Sequence, residues 1–158
     1  SLSRTAQSHI LQVRNLNKYK TSIHWIELGV PAFNPYVPFF ANADDTDESY
    51  RNVPEKMNLE SAFWLNEALA EVVESHYQEF MEKDEDYQKE LNEWARRKIA
   101  QVDKEAASLE GQALTDYLTG QNHEIATHYN ERTKALFFEL LTEGCELSKM
   151  SFKMDPNL

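Results

Sequence analysis

A dense group of polar side chains stands directly before the first hydrophobic stretch of the chain. Arg4, Thr5 and His9 belong to this group, together with Gln7 and Ser8. Polar side chains at the entry to a strand can line a ligand-binding cleft at the end of a sheet. A polar strand entry without any ligand explains the composition equally well, so both interpretations stay open.

The segment from His123 to His128 contains the residue types of a zinc-protease helix. In that motif the two histidines stand four residues apart and share a helix face, whereas five residues rotate the second by roughly 140°. Zinc is therefore disfavoured, and the spacing of Glu124 and His128 favours a surface pair. A di-metal carboxylate bundle needs glutamate three residues before histidine, and no histidine here has it.

Cys145 is the single cysteine of the chain. Its neighbours Glu143 and Glu146 would raise the pKa of the thiol, which favours a small core residue or an inert, partly exposed thiol over a nucleophile. One cysteine excludes an internal disulfide framework and a multi-cysteine metal site. It fits a reducing compartment, so we expect a cytoplasmic protein. We also expect that the protein has no cofactor.

The acidic segment from Asp44 to Glu48 is the other candidate metal site. A helix-loop-helix calcium site needs alternating oxygen ligands, a glycine at the sixth position and a distant glutamate. This segment offers no glycine. A solvated loop is therefore the favoured interpretation, and calcium is the alternative.

Length and charge limit the class of protein and its partners. The chain has 158 residues, of which 41% are hydrophobic, enough for one globular unit with a core. The net charge of −11 argues against nucleic acid and anionic membranes as partners. No apolar run approaches the roughly 20 residues that span a bilayer.

The chain begins SLSRT without methionine, so we expect a fragment of a longer polypeptide, with a cloning remnant at Ser1 as an alternative.

The first third of the chain has the pattern of extended structure. Ile10, Leu11 and Val13 predict a strand within 5–13, and the run 23–28 predicts a second strand that forms an antiparallel hairpin with it. Three prolines follow, which argues against a regular strand or helix between Pro31 and Phe40. We expect an ordered, aromatic-rich loop there.

The rest of the chain has the pattern of long helices. Asn58 is the predicted N-cap of a helix that continues through Phe80, and Asp84 either caps a second segment or lies inside a continuous one. Gly111 and Gly120 interrupt the helical pattern, and a last long helix follows them. The predicted class is α+β, with a short antiparallel β portion followed by long antiparallel helices. The predicted parts are strands and proline-rich loop at 1–57, helices at 58–150 and a tail at 151–158.

Five sequence segments, in this order, resemble a known family. They are RTAQSHILQVR, WIELGVP, FNPYVPFF, ADDTDESYR and ESAFWLNEAL. The series is similar to the C-terminal portion of the bacterial dipeptidase A family, which are cysteine dipeptidases of the N-terminal-nucleophile hydrolase superfamily. The similarity is sharp from Arg4 to Leu69. The later helices resemble the family mainly in their general character as long helices.

The resemblance implies a four-layer αββα fold in which a mature N-terminal cysteine attacks a dipeptide. That cysteine would lie upstream of this chain, so we expect this fragment alone to be inactive. Arg4, Thr5 and His9 are the residues expected to approach the missing half of the site, with Arg4 contacting charge on the substrate or intermediate. The expected partners are the dipeptide, the N-terminal part of the same polypeptide and other copies in a homo-oligomer. Ser1 as a nucleophile is a less favoured alternative.

A second hypothesis comes from a different class of protein. The apolar stripes of the helices between Leu59 and Met150 are sufficient for a non-catalytic interaction module. The behaviour of the isolated chain distinguishes the two hypotheses. A piece of a larger sheet exposes an unpaired edge and associates, whereas a self-contained module stays monodisperse.

Overall fold

The computed structural model describes residues 6–14 and 22–148. Its strands and helices follow one another as β1 (Gln7–Val13), β2 (Ser22–Leu28), β3 (Val37–Phe40), α1 (Glu48–Arg51), α2 (Ala62–Ser75), α3 (Tyr77–Ala106) and α4 (Gly111–Leu147). The predicted α+β class is confirmed. Arg4, Thr5 and Ser1 lie outside the described residues, as does the predicted tail.

The first two strands form the predicted antiparallel hairpin. His9 stands opposite Ile26 and Leu11 opposite His24. β2 is the middle strand of the described sheet, because it also pairs with β3 on its other side. Since side chains alternate between the two faces of a strand, Leu11, His24 and Phe39 form one rung across a single face of the sheet.

Strand β3 corrects the prediction of an irregular loop up to Phe40. Pro38 pairs with Trp25 although it has no N–H to donate. The N–H of Phe40, two residues later, points away from β2 and donates to Asn122. Backbone N–H groups two residues apart share a direction, so Pro38 stands where its missing donor costs no hydrogen bond to β2.

The start of the helical portion also differs from the prediction. Asn58 is not the N-cap of α2, because that helix begins at Ala62 and Ser61 holds the N-cap position. The Oδ1 of Asn58 instead accepts from the N–H of Glu60 in the turn before the helix. The predicted helix through Phe80 is interrupted at His76, which separates α2 from α3. The apolar stripe continues across this break, so the sequence pattern did not reveal it.

The bounds of α3 and α4 show where Asp84 and the two glycines lie relative to the helices. Asp84 lies inside α3 and is buried there. Gly111 has a positive φ of 58° and begins α4, whereas Gly120 lies within that helix. Helix α4 packs against α2, α3 and strand β3.

The core lies between the helices and one face of the sheet. Ile23 and Phe40 face each other in register and are almost completely buried there. Arg14, at the end of β1, reaches Asp103 of α3 with hydrogen bonds of 2.8 and 2.6 Å, which fixes the helices on this face. The helical side of the core includes Leu69, Val73, Phe80, Leu91, Leu118, Ile125 and Leu140. None of the helices in the described part of the chain is both long and apolar enough to cross a membrane.

Candidate functional site

The predicted site residue that the structure describes is His9, on strand β1. Its side chain is exposed on the sheet face that points away from the Ile23 core. Arg4 and Thr5 lie outside the described residues, so their predicted roles stay predictions. His9 therefore provides the starting point for locating the site.

The imidazole of His9 packs edge-on against that of His24 on the middle strand. The two ring centroids are 5.5 Å apart and the ring planes stand at 77°. Burial and the neighbouring His9 lower the pKa of His24 below its usual value. His24 is thus neutral at pH 7, with one ring nitrogen that donates and one that accepts a hydrogen bond.

A pocket of about 400 Å³ opens beside His24 on the same face of the sheet. Its floor is apolar and comes from Leu11, Ile26 and Phe39. Its rim is polar and comes from the acidic segment, with Asp45, Thr46 and Asp47. Tyr50 of α1 and the buried Asn122 of α4 line the pocket deeper inside. An apolar floor with a few convergent polar groups is the usual composition of a small-molecule site.

The acidic rim is held in place by side-chain hydrogen bonds. Asp47 Oδ1 accepts from the N–H of Ser49 at 3.0 Å, which caps α1, and Asp47 Oδ2 lies 2.9 Å from His123 Nδ1. Although burial opposes it, these contacts hold the pKa of Asp47 below its usual value. Asp45 forms an ion pair with Arg51. The segment therefore forms one wall of the pocket through these side-chain contacts, while Asp44, Asp45, Thr46 and Glu48 stay exposed, as expected for a solvated loop.

The helix α4 closes the pocket from the side. Asn122 lines the pocket and bonds to strand β3, while the ring of Tyr50 packs edge-on against Phe39 at 4.9 Å. Residues from the start, the middle and the end of the chain thus meet at one place. Neither Asn122 nor Tyr50 was predicted as a site residue. The pattern around Asn122 predicts a helix but not the strand that the helix touches, and Tyr50 follows the segment that was predicted as a solvated loop.

Apart from His123, which contacts Asp47, the other candidates from the sequence do not line this pocket. Glu124 and His128 do not form the predicted pair, because Glu124 binds Lys98 at 2.6 Å and His128 stacks on Trp94 with ring centroids 4.0 Å apart. Cys145 is exposed near the end of α4. In the described part of the chain, no three His, Cys, Asp or Glu side chains come together as a metal site.

Strand β2 carries polar residues on both faces. His24 points to the pocket, whereas Glu27 lies on the opposite, helix-covered face and is completely buried. A histidine and a glutamate among the apolar residues from Ile23 to Leu28 are the signal that identifies both positions.

Comparison with known proteins identifies the family. The model of peptidase family C69 matches residues 1–90. A probable dipeptidase of Latilactobacillus sakei is 58% identical over 160 residues, which cover 100% of this chain and 33% of that protein. Dipeptidase A of Lactobacillus helveticus is 27% identical over 97% of this chain and 32% of its own length.

A third relative is also a dipeptidase and matches part of this chain. A dipeptidase of Bifidobacterium longum is 26% identical over 68% of this chain and 20% of its own length. The family match covers more than half of the residues and includes β1, β2, β3 and the acidic rim of the pocket. The chain belongs to peptidase family C69. It spans about a third of the length of the two curated relatives that it matches almost end to end.

Proposed function

We propose that this chain is the C-terminal portion of a cysteine dipeptidase and contributes one wall of its substrate pocket. The observation that carries the proposal is the pocket beside His24, built on the strands that fall within the family match. The names of the relatives, all of them dipeptidases, supply the substrate class. The residues around the pocket supply the chemistry that this chain contributes.

The uncovered face of the sheet supports a fold with a further layer. Leu11 and Val13 are 69% and 85% exposed on the face that also carries His9 and His24. Apolar side chains on a sheet face are normally covered by a packed element. In the proposed four-layer αββα arrangement a second sheet, from the rest of the polypeptide, covers this face. The pocket then lies between the two sheets.

The reaction proposed is acyl transfer to an N-terminal cysteine outside residues 1–158. The free α-amine of that cysteine takes the thiol proton, because an α-amine is partly neutral at pH 7. The thiolate attacks the peptide carbonyl, the C–N bond breaks, and the C-terminal amino acid leaves with the proton. Water then hydrolyses the thioester and releases the N-terminal residue. Cys145 takes no part.

The residues of this chain hold the dipeptide during these steps. The apolar floor formed by Leu11, Ile26 and Phe39 accommodates a substrate side chain, and neutral His24 offers a hydrogen bond without a charge. His9 orients the ring of His24 by the edge-on contact. Arg4 and Thr5 remain the candidates for contacting the substrate from the segment before β1.

The test uses the complete polypeptide that carries this chain. It should release free amino acids from dipeptides and leave N-acetylated dipeptides and longer peptides largely intact. Absence of dipeptide hydrolysis would contradict the proposal. Arg4→Ala should lower kcat/KM, and unchanged kinetics would remove Arg4 from the site.

A pair of histidine variants tests the pocket itself. His24→Gln should raise KM by about fivefold or more, because it removes the imidazole that is proposed to hydrogen-bond the substrate. His128→Gln is the matched control, since His128 is also a histidine whose pKa is lowered by burial but stacks on Trp94 outside the pocket. Equal effects of the two variants would show that His24 acts only on the fold.

A further inference from the structure

The two edges of the described sheet differ in how their backbone groups are used. At the β3 edge, Pro38 has no N–H to donate, and Asn122 binds both the N–H and the carbonyl of Phe40. At the other edge, β1 pairs with β2 on one side and with no described strand on its other side. The described sheet is therefore closed to a further strand at β3 and open to one at β1.

The direction of each backbone group in β1 follows from its pairing with β2. The N–H of Gly29 donates to the carbonyl of Ala6 at 3.0 Å, which continues the register of the two strands by one residue. Backbone groups along an antiparallel strand point alternately to its two sides, so those of Ser8, Ile10 and Gln12 also face β2. The residues between them direct N–H and carbonyl groups outward, where no described backbone group meets them: Gln7, His9, Leu11 and Val13.

The side chains of β1 lack the features that protect a free edge. Edge strands usually carry a proline, a bulge or charged side chains, because an unprotected edge pairs with another strand. The sequence QSHILQV has no proline and no Asp, Glu, Lys or Arg, and its seven residues pair one to one with β2. A strand of this composition is typical of the interior of a sheet.

The exposure of the apolar residues of β1 leads to the same conclusion. Leu11 and Val13 are 69% and 85% exposed on the pocket face, and Ile10 is 54% exposed on the opposite face. A second layer over the pocket face would cover Leu11 and Val13 but would not reach Ile10. A strand beside β1 would place side chains next to all three, because neighbouring strands contact each other on both faces of a sheet.

We propose that the outer edge of β1 is the position at which a strand from the remainder of the dipeptidase polypeptide joins this sheet. The inference rests on the proposed function, in which this chain is the C-terminal portion of the enzyme. The two relatives that match the chain almost end to end have about two thirds of their length outside the match, which is ample chain for a further strand. A second copy of the chain is the competing occupant.

The added strand also borders the pocket beside His24. Leu11 lines this pocket and lies on the open edge strand. Since neighbouring strands lie about 4.8 Å apart, a side chain of the added strand extends the rung formed by Leu11, His24 and Phe39. The side of the pocket at β1 is thus formed by the part of the polypeptide in which the attacking cysteine is proposed to lie.

Hydrogen–deuterium exchange of the complete polypeptide, resolved to single residues by electron-transfer fragmentation, tests the edge. The amides of Ser8 and Ile10 face β2 and are the internal controls. We expect the outward amides of His9 and Leu11 to exchange within about tenfold of the rates of these controls. Faster exchange of the outward amides than this would overturn the proposal, because β1 would then be a free edge.

A photocrosslinker distinguishes the two occupants. With p-benzoylphenylalanine in place of Ile10, on the face that a second layer does not reach, we expect a crosslink within one polypeptide to a residue outside 1–158. The same probe at Glu74, which is exposed on α2, is the control and should not form that crosslink. A crosslink that joins two polypeptides would assign the edge to a second copy and overturn the proposal, as would a crosslink pattern equal to that of the control.

Neither readout depends on catalysis. A complete polypeptide without dipeptidase activity refutes the proposed function, whereas exchange and crosslinking still decide whether a strand occupies the edge of β1.

Discussion

The side-chain amide of Asn122 makes both hydrogen bonds that a neighbouring strand would otherwise make to Phe40. Its Oδ1 accepts from the N–H of Phe40 at 2.8 Å, and its Nδ2 donates to the carbonyl of Phe40 at 3.0 Å. One helical side chain therefore provides hydrogen-bond partners for the backbone N–H and carbonyl of Phe40 at the outer edge of β3. The same two bonds hold α4 beside the pocket. Both partners are buried.

Asn122→Ala should destabilise the chain by about 2–4 kcal/mol, because it leaves two buried backbone groups without partners. Urea unfolding followed by circular dichroism gives the free energy of unfolding. Asn92→Ala, at an exposed position of α3, is the matched control and should stay within about 0.5 kcal/mol of the unmodified chain. Equal stability of the two variants would mean that the amide of Asn122 does not hold β3.

Two glycine substitutions should act in opposite directions. Gly29 has a positive φ of 103°, and an added Cβ would come within 3.2 Å of the Cβ of Asn66, so Gly29→Ala should cost about 1–3 kcal/mol. Gly120→Ala should instead stabilise the chain by up to about 1 kcal/mol, because it lies inside α4 with nothing within 4 Å. The same unfolding measurement tests both. A neutral or stabilising Gly29→Ala would contradict the close packing at the end of β2.

The stability of the 158-residue chain should fall as the pH rises from 5 to 8. Burial raises the pKa of Glu27 to about 7 and that of Asp84 to about 6, both above their usual values. Between the unfolded and the folded pKa the folded state binds more protons than the unfolded state, so the free energy of unfolding decreases with pH. The contribution of Glu27 is on the order of 2 kcal/mol.

Glu27→Gln isolates this contribution. It should remove the largest part of the fall in stability with pH. The smaller parts due to Asp84 and Glu67, whose pKa burial also raises, remain, and so do the opposite contributions of His24 and His128, whose pKa burial lowers. Exposed Glu74→Gln should keep the full pH dependence. Free energies of unfolding of the three chains at pH 5 and pH 8 provide the comparison. Equal pH dependence of Glu27→Gln and the unmodified chain would contradict a raised pKa of Glu27.

The sequence predicted those features that depend on local pattern. Alternating apolar residues around Ile10 and Trp25 were sufficient for the β1–β2 hairpin, and the apolar stripes were sufficient for the helical portion. Strand β3 was missed because Pro38 argues against a strand unless its missing N–H faces away from the partner, which depends on the position of Asn122. The break at His76 was missed because the stripe continues through it.

The candidate pocket was not predicted from the sequence, for a related reason. His9 was predicted as a site residue from its polar neighbours, and the structure places its ring against that of His24, which lines the pocket, so its role stays a prediction. The pocket itself joins Leu11 to Asn122, which are far apart in the chain and come together only through the packing of α4 on β3. No local pattern contains that contact.

The proposed mechanism requires that the attacking sulfur lies outside residues 1–158. The decisive measurement is alkylation of the complete polypeptide with iodoacetamide, with and without a saturating dipeptide, followed by peptide mass spectrometry. We expect that the cysteine protected by substrate, whose modification abolishes hydrolysis, lies outside this chain, while exposed Cys145 is modified equally in both conditions. Protection of Cys145 by the dipeptide, together with loss of activity in Cys145→Ser, would contradict it.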